Sequence, residues 1–130
     1  MFDHNLNEKQ RYAHKKNIGY FGENIARNFL LRNGYQIIQQ NIKISYQEID
    51  IIATYQEKTV LFEVKTRVDN IFGPAEEALS AKKIQNLKKA ARLYRQNNSL
   101  SIENIRFDFI AVDINTKQQR AKISHFKDIF

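Results

Sequence analysis

Two β-like segments joined by a short polar link are the feature that most restricts the fold of this chain. Residues 47–53 and 59–65 are rich in Ile, Val and Phe, and the link between them includes the polar stretch 55–58. Short apolar segments with a few polar residues between them are typical of a β-hairpin. We therefore predict an antiparallel pair of strands whose loop is centred between Gln56 and Glu57.

The centre of the loop decides which residues of the two strands face each other. A loop centred there places Asp50 opposite Glu63 and Glu48 opposite Lys65, so all four charged side chains share one face of the hairpin. Gln-Glu is not a favoured two-residue turn, so this register follows from the pattern and not from the turn type. The other face is predicted to be ordinary core, formed by Ile49, Ile51, Ala53, Phe62 and Val64.

The charged face of this hairpin also carries apolar residues, because Ile52 and Leu61 alternate with the acids. Partly buried charges cost several kcal/mol each unless they are paired or bind a metal. One interpretation is a pair of salt bridges, Glu48 with Lys65 and Glu63 with a nearby base, that stabilise the hairpin. The other is a site that retains these charges for chemistry.

The residue types on this face fit a hard divalent cation. Asp50 and Glu63 offer carboxylate oxygens without a neighbouring His or Cys, which favours Mg²⁺ or Mn²⁺ over zinc, and the carbonyl of Val64 is a further candidate ligand. Lys65 is placed to position or deprotonate a water, and we expect a nearby metal and low-dielectric surroundings to depress its pKa. Phosphodiester hydrolysis uses all of these groups.

Composition indicates a polyanionic partner. The chain has 21 Lys and Arg against 14 Asp and Glu, a formal net charge of +7. Such an excess favours nucleic acid. Residues 82–95 hold six positive side chains and no acid, and we expect Lys82, Lys89 and Arg92 to lie off the apolar stripe and contact phosphates.

Other compositional features restrict the class of protein. The lack of cysteine excludes disulfides, thiolate zinc sites and cysteine nucleophiles. No segment approaches the ~20 apolar residues of a membrane span, and the polar N-terminus has no signal-peptide character. We expect a cytoplasmic protein without a membrane partner.

The remaining periodicity predicts the order α-β-β-β-α-β-β, a mixed β-sheet flanked by helices in the α/β or α+β class. We expect a mobile or loosely helical basic N-terminal arm over residues 1–18 and a single domain over residues 19–130. The helices are predicted at about 20–32 and 76–97. Further strands are predicted at about 35–45, 105–114 and 122–126, with an irregular loop over 68–74 next to the presumed site.

Three groups of polar residues receive weaker assignments. Glu23 lies near the buried side of the first helix, where the helix dipole tolerates an acid whether or not it is a ligand. Asp108 and Asp113 are taken as structural or solvated. The histidines, His4, His14 and His125, receive no role.

Over about residues 19 to 113, the chain resembles the bacterial YraN-like family. The residues that carry the resemblance are Gly19-Tyr20-Phe21-Gly22-Glu23, Gly34-Tyr35, Asn41, Glu48-Ile49-Asp50-Ile51-Ile52-Ala53, Phe62-Glu63-Val64-Lys65-Thr66-Arg67, Phe72-Gly73, Lys83, Ala91 and Tyr94. That largely uncharacterised family is placed in the PD-(D/E)xK nuclease superfamily, with similarity to archaeal Holliday-junction resolvases.

The resemblance implies roles for four residues and a restriction-endonuclease-like fold. Glu23 would be the acid of the first helix, Asp50 the central metal-binding aspartate, Glu63 the second metal ligand and Lys65 the catalytic lysine. Two positions depart from the family pattern without removing a ligand. Gln47 stands where relatives typically carry Gly, and Ile49 replaces the Pro of the superfamily name.

Together these features predict a Mg²⁺- or Mn²⁺-dependent endonuclease that acts on DNA, with branched DNA such as Holliday junctions as one candidate substrate. Lys83 and Arg67 would contact phosphate, and Glu48 would support the site. The alternatives are an RNase that uses the same residues and a non-catalytic nucleic-acid-binding accessory protein. A homodimer fits the branched substrate, because two symmetric cuts need two sites.

Overall fold

The computed structural model describes residues 7–69 and 79–130 as helices and strands in the predicted order. The elements are α1 (Glu8–Arg32), β1 (Gln36–Ile44), β2 (Gln47–Tyr55), β3 (Lys58–Val68), α2 (Ala81–Asn97), a 3₁₀ turn (Ile102–Asn104), β4 (Ile105–Asn115) and β5 (Arg120–Phe126). None of the helices in these residues is long and apolar enough to span a membrane.

The strands form one mixed sheet in the order β1-β2-β3-β4-β5. Neighbouring strands are antiparallel except β3 and β4, which are parallel and are connected through α2. This connection is required because parallel strands cannot be joined by a tight turn. The predicted mixed sheet with flanking helices is confirmed.

Each helix covers its own apolar cluster on the sheet. Ala26 and Leu30 of α1 are buried in a cluster that contains Phe62 of β3, whereas Leu87 of α2 is buried in a cluster that contains Leu61. Phe62 and Leu61 are neighbours in one strand, so their side chains point to opposite faces of the sheet. The two helices therefore cover opposite faces.

Helix α1 begins much earlier than its apolar pattern indicates. It starts at Glu8, so the predicted start near Tyr20 is wrong, and residues 8–18 of the predicted basic arm continue the helix. Asn7 Oδ1 accepts a hydrogen bond from Gln10 N at 2.8 Å, and Gln10 Oε1 accepts one from Asn7 N at 3.1 Å. This reciprocal capping satisfies backbone donors at a helix end that little packing supports.

Helix α2 begins at Ala81, where the hydroxyl of Ser80 accepts a hydrogen bond from Lys83 N at 3.1 Å. The predicted start of this helix at residue 76 lies outside the described residues. The predicted loop over 68–74 is described only to residue 69.

A glycine allows α1 to approach the sheet closely. A Cβ atom on Gly22 would lie 1.7 Å from Thr66 Oγ1 and 2.8 Å from Thr66 Cβ. Any larger residue at position 22 would therefore displace the helix from β3. The next residue along α1 is Glu23, so this contact sets how near the Glu23 carboxyl comes to the sheet.

The predicted hairpin register is confirmed near the loop, from Tyr55 paired with Lys58 to Ile51 paired with Phe62. The ladder ends there although both strands continue. Val64 N donates a hydrogen bond of 2.7 Å to the side chain of Asp50 instead of to a backbone carbonyl of β2. The strands therefore separate at Asp50.

Two predictions that extend beyond Ile51 are wrong because of this separation. Asp50 and Glu48 are not ladder partners of Glu63 and Lys65. Ile49 does not share a face with Ile51 but packs in the cluster under α2.

Candidate functional site

Three carboxylates from three elements lie around the point where β2 and β3 separate, with Glu23 and Glu63 each near Asp50. Asp50 lies at the opening, held by the hydrogen bond from Val64 N. Glu63 approaches from β3 on the face covered by α2, where it contacts Lys83. Glu23 approaches from α1 and hydrogen-bonds with Asp50. The structure thus brings together the three acids that the sequence predicts for the site.

Burial raises the pKa of all three acids, and the charge of Asp50 adds to the shift at Glu23 and at Glu63. Burial, followed by the charge of Asp50, raises the pKa of Glu23 to about 8. Burial and the same charge raise the pKa of Glu63 to about 7, although Lys83 opposes the shift. The pKa of Asp50 is also raised by burial, against the hydrogen bond from the Val64 N–H. Negative charge is therefore unfavourable here, and a bound cation would relieve it.

Glu23 and Asp50 are close enough to share a proton. Burial raises the pKa of both carboxyls, so one proton held between them relieves their repulsion. The shared hydrogen bond orients the Asp50 carboxylate.

Two polar residues support this arrangement from the edge of the sheet. The carboxamide of Asn41 lies 3.1–3.3 Å from Glu23 oxygens and 3.2 Å from Glu48 Oε1, in the orientation that turns its nitrogen toward both acids. Glu48 is exposed and forms no ion pair with Lys65 in the described residues, so that half of the predicted salt-bridge pair is not formed. Glu48 contacts Asn41 in this orientation, and its predicted supporting role stays a prediction.

Glu63 has one paired oxygen and one unpaired oxygen. Lys83 Nζ lies 3.4 Å from Glu63 Oε1, and the Glu63 side chain is only 14% exposed. Glu63 Oε2 is buried and accepts no hydrogen bond from the residues that the structure describes. A buried carboxylate oxygen without a donor is unfavourable, so this atom is the strongest sign that Glu63 has a further ligand.

The donor set fits a hard divalent cation held by few protein ligands. Across residues 7–69 and 79–130, no three His, Cys, Asp or Glu side chains converge closely enough to form a preformed metal cluster. Mg²⁺ is commonly bound through one or two carboxylates and several waters. Asp50 and Glu63 would hold such an ion, and the predicted contribution of the Val64 carbonyl stays a prediction.

Lys65 follows Glu63 on the same side of β3, because side chains two residues apart in a strand share a face. The positive charge of Lys65 partly opposes the rise in the pKa of Glu63, as expected for two groups on the same face of β3. The side chain of Lys65 is exposed, so the expected low-dielectric surroundings are wrong. Its ammonium group is instead free to reach a substrate in solvent.

The other predicted phosphate contacts lie at different distances from the acids. Lys83 is the only member of the α2 basic set that forms an ion pair with them in the described part of the chain. Lys82, Lys89 and Arg92 are exposed on α2, as the sequence predicts. Arg67 is half-buried on β3, in register with Asp113 of β4.

A second polar cluster, on β4 and β5, was not predicted. Asp108 is fully buried and accepts hydrogen bonds from Arg106 Nε and Nη2 at 2.8 Å each and from Asp128 N at 2.9 Å, and its Oδ2 lies 2.7 Å from His125 Nε2. Arg106 also donates to Tyr35 Oη at 2.7 Å. Burial raises the pKa of Asp108, but these hydrogen bonds outweigh burial and hold it below its usual value.

This cluster is structural, because it ties the C-terminal segment to the sheet. The interpretation of Asp108 as structural agrees with these hydrogen bonds. His125, to which the sequence analysis gives no role, has Asp108 as its partner. An acid inside the apolar stretch Phe107–Val112 was the one sequence signal for it, because a buried carboxylate needs a donor.

Comparisons with known proteins give a consistent family assignment. The model of the uncharacterised protein family UPF0102 matches residues 22–112, which include the three acids and Lys65. The chain is similar to UPF0102 proteins from Flavobacterium psychrophilum (42% identity, covering 91% of this chain and 97% of the relative) and from Caldanaerobacter subterraneus (37%, 91% and 98%). A UPF0102 protein of Syntrophomonas wolfei is 35% identical over 88% of this chain and 98% of its own length. The chain therefore belongs to UPF0102, the YraN-like family that the sequence motifs indicate.

Proposed function

We propose that this protein is a Mg²⁺- or Mn²⁺-dependent endonuclease that hydrolyses phosphodiester bonds in DNA. The observation that carries the proposal is the meeting of Asp50 and Glu63 where β2 and β3 separate, with Glu63 Oε2 buried and unpaired among the described residues. Stability alone would favour apolar residues at these positions. The resemblance to the PD-(D/E)xK superfamily supports the same conclusion.

Each residue of the site has a distinct task in this proposal. Asp50 and Glu63 hold the ion, and Glu23 orients the Asp50 carboxylate through the hydrogen bond that the two carboxyls share. When bound, the ion supplies Lewis acidity toward a water and toward a phosphoryl oxygen. Lys65, exposed beside Glu63, orients the attacking water or neutralises charge on the phosphate.

The basic surface determines the class of substrate. Lys82, Lys89 and Arg92 are exposed on α2, whose first turn brings Lys83 to the acids. A phosphate backbone that crosses this helix would be led to Asp50 and Glu63. Binding of this kind depends on salt and carries little sequence preference. Branched DNA and a homodimer remain part of the proposal through the resemblance to resolvases.

A non-catalytic nucleic-acid-binding protein is the second candidate, and the ion pair between Lys83 and Glu63 favours it. An ammonium group 3.4 Å from Glu63 Oε1 neutralises part of the charge that a metal would otherwise neutralise. In that case Asp50 and Glu63 would serve only to position Lys83 for phosphate. An RNase would use the same acids, and only the substrate would distinguish it.

The test is cleavage of labelled duplex, single-stranded, flap and four-way-junction DNA and of RNA, with Mg²⁺, Mn²⁺ or EDTA. We expect divalent-ion-dependent cleavage that Asp50→Asn abolishes and that Glu57→Gln, which neutralises an exposed acid in the hairpin loop, leaves intact. Cleavage of RNA alone would identify an RNase. Absence of cleavage, with nucleic-acid binding unchanged in Asp50→Asn, would overturn the nuclease proposal in favour of the second candidate.

A further inference from the structure

A groove of about 440 Å³ runs along α1 and ends at the acids. Its far end is formed by the first turns of the helix, and its near end by Glu23 and Glu48. The lining residues are Tyr12, Lys15, Lys16, Gly19, Tyr20, Glu23 and Glu48. The metal-site proposal gives no role to the tyrosines or lysines of this groove.

The groove combines exposed aromatic rings with positive charge. Tyr12 is 69% exposed and Tyr20 is 45% exposed. Lys15 and Lys16 are exposed beside them, and Lys16 Nζ lies 5.9 Å from the centre of the Tyr20 ring. Aromatic rings interleaved with lysines are the combination with which proteins bind single-stranded nucleic acid, since bases stack on the rings and phosphates contact the lysines.

The spacing of the two rings matches a strand of several nucleotides. Tyr12 and Tyr20 both line the groove, and their eight-residue spacing separates them by about 12 Å along the axis of α1 and about 80° around it. At ~3.4 Å of rise per nucleotide this corresponds to roughly three to four stacked nucleotides. Glu23 follows Tyr20 by about one helical turn, so a strand on this surface continues directly to the acids.

Packing within the described residues, 7–69 and 79–130, does not account for the exposure of this helical face. Residues 8–13 of α1 are all exposed, and the buried positions of the helix, Gly22, Ala26 and Leu30, belong to its second half. Helical segments that pack against nothing are marginally stable on their own. A ligand that contacts Tyr12, Lys16 and Tyr20 would therefore also stabilise the first turns of α1.

We propose that this groove binds unpaired nucleotides adjoining the bond to be cleaved. This inference rests on the proposed function only where it places the groove next to the cleaved bond. The substrate class that it names for the site is nucleic acid with a single-stranded segment next to the cut. A continuous duplex cannot use the groove, because its base faces are covered by neighbouring base pairs. DNA and RNA share the required chemistry, so the experiment includes both.

The test is fluorescence polarisation in EDTA with labelled strands of about 12 nucleotides, a length within known single-strand site sizes. The probes are oligo-dT, oligo-U and a DNA duplex of the same length. Tyr12→Ala/Tyr20→Ala is compared with Phe21→Ala, which removes a 57% exposed ring from the same helix but outside the groove. We expect the double variant to bind single strands at least about tenfold more weakly.

The expected pattern also includes two negative results. Phe21→Ala should bind single strands like the wild type, and duplex binding should change less than about twofold in the double variant, since it depends mainly on phosphate contacts. Equal loss on duplex and single strand, no loss beyond that of Phe21→Ala, or no single-strand binding by the wild type would each overturn the inference. Thermal unfolding of each variant checks that the fold is intact.

The lysines give an independent measurement. Each phosphate contact on a single strand contributes about 0.7 to the slope of log K against log salt. Lys15→Gln/Lys16→Gln should therefore reduce the slope for oligo-dT by up to about 1.4, whereas Lys9→Gln, an exposed lysine of α1 outside the groove, should change it little. An equal change for Lys9→Gln would show general attraction only and would overturn the groove assignment.

These measurements separate this inference from the proposed nuclease function. Binding in EDTA is independent of cleavage, so tyrosine-dependent binding without any cleavage would overturn the nuclease proposal and leave the groove standing. Cleavage that requires Asp50 but is insensitive to Tyr12→Ala/Tyr20→Ala on every substrate would overturn the groove inference and leave the nuclease proposal standing.

Discussion

Replacement of Gly22 by Ala tests whether close packing of α1 on β3 positions the site. The new Cβ would lie 1.7 Å from Thr66 Oγ1 and 2.8 Å from Thr66 Cβ. Rotation of the Thr66 side chain can remove the first clash but not the second, so the helix itself must move. Overpacking of this kind costs about 1–3 kcal/mol or more, and the helix propensity gained from Gly to Ala returns up to about 1 kcal/mol. We expect a net destabilisation of about 1–2 kcal/mol.

Urea unfolding followed by circular dichroism measures this change, and Gly19→Ala is the matched control. A Cβ atom on Gly19 meets nothing within 4 Å, so this substitution should stabilise the protein by about 0.5–1 kcal/mol through propensity alone. Displacement of α1 also moves Glu23, so Gly22→Ala should reduce cleavage by more than Gly19→Ala, which leaves α1 in place although Gly19 lines the groove along this helix. A Gly22→Ala protein as stable and active as Gly19→Ala would refute the packing argument.

Three further perturbations address charge. The pKa values of Glu23 and Glu63 are raised from 4.5 to about 8 and about 7, so the folded state holds these protons more tightly than the unfolded state does. The free energy of unfolding should therefore fall as pH rises from about 4.5 to 8. In urea unfolding, Glu63→Gln should reduce this pH dependence and stabilise the protein at pH 8 by about 1–3 kcal/mol. Asp108→Asn should destabilise the fold by about 3–5 kcal/mol, because it leaves the guanidinium of Arg106 without its counter-charge. The control Asp128→Asn changes an exposed side chain and keeps the backbone N–H, so it should cost at most about 0.5 kcal/mol. Equal effects of the two variants in thermal unfolding would contradict the role of the hydrogen-bond network. Lys83→Gln should tighten Mn²⁺ binding several-fold in calorimetric titration at pH 8, because it removes the cation that competes for Glu63, and weaker binding would argue against that competition.

The sequence predicts the centre of this structure well because the relevant signals are local. The two-residue period of the hairpin gives the pairing of Ile51 with Phe62, and hence the approach of Asp50 to Glu63. The separation of the strands at Asp50 could not be predicted. The separation depends on the side chain of Asp50, which accepts a hydrogen bond from Val64 N in place of a backbone carbonyl. The hydrophobic periodicity of the strands does not predict this hydrogen bond.

The features that the sequence does not reveal lack an apolar pattern. The first turns of α1 bury almost nothing, so there is no hydrophobic periodicity there from which to predict a helix. The only local signal is the spacing of Asn7 and Gln10, which is that of a capping box. The pairing of Asp108 with His125 depends on the antiparallel register of β4 and β5, which is a long-range property of the sheet. Only the presence of an acid in an apolar strand indicated that a partner was needed.

The central claim is that Asp50 and Glu63 hold one divalent ion, and a Mn²⁺ titration followed by electron paramagnetic resonance tests it most directly. We expect one bound Mn²⁺ per chain in the wild type and in Glu57→Gln, with binding lost in Asp50→Asn and in Glu63→Gln. Mn²⁺ binding of unchanged strength in both site variants, or no binding in the wild type, would contradict the account.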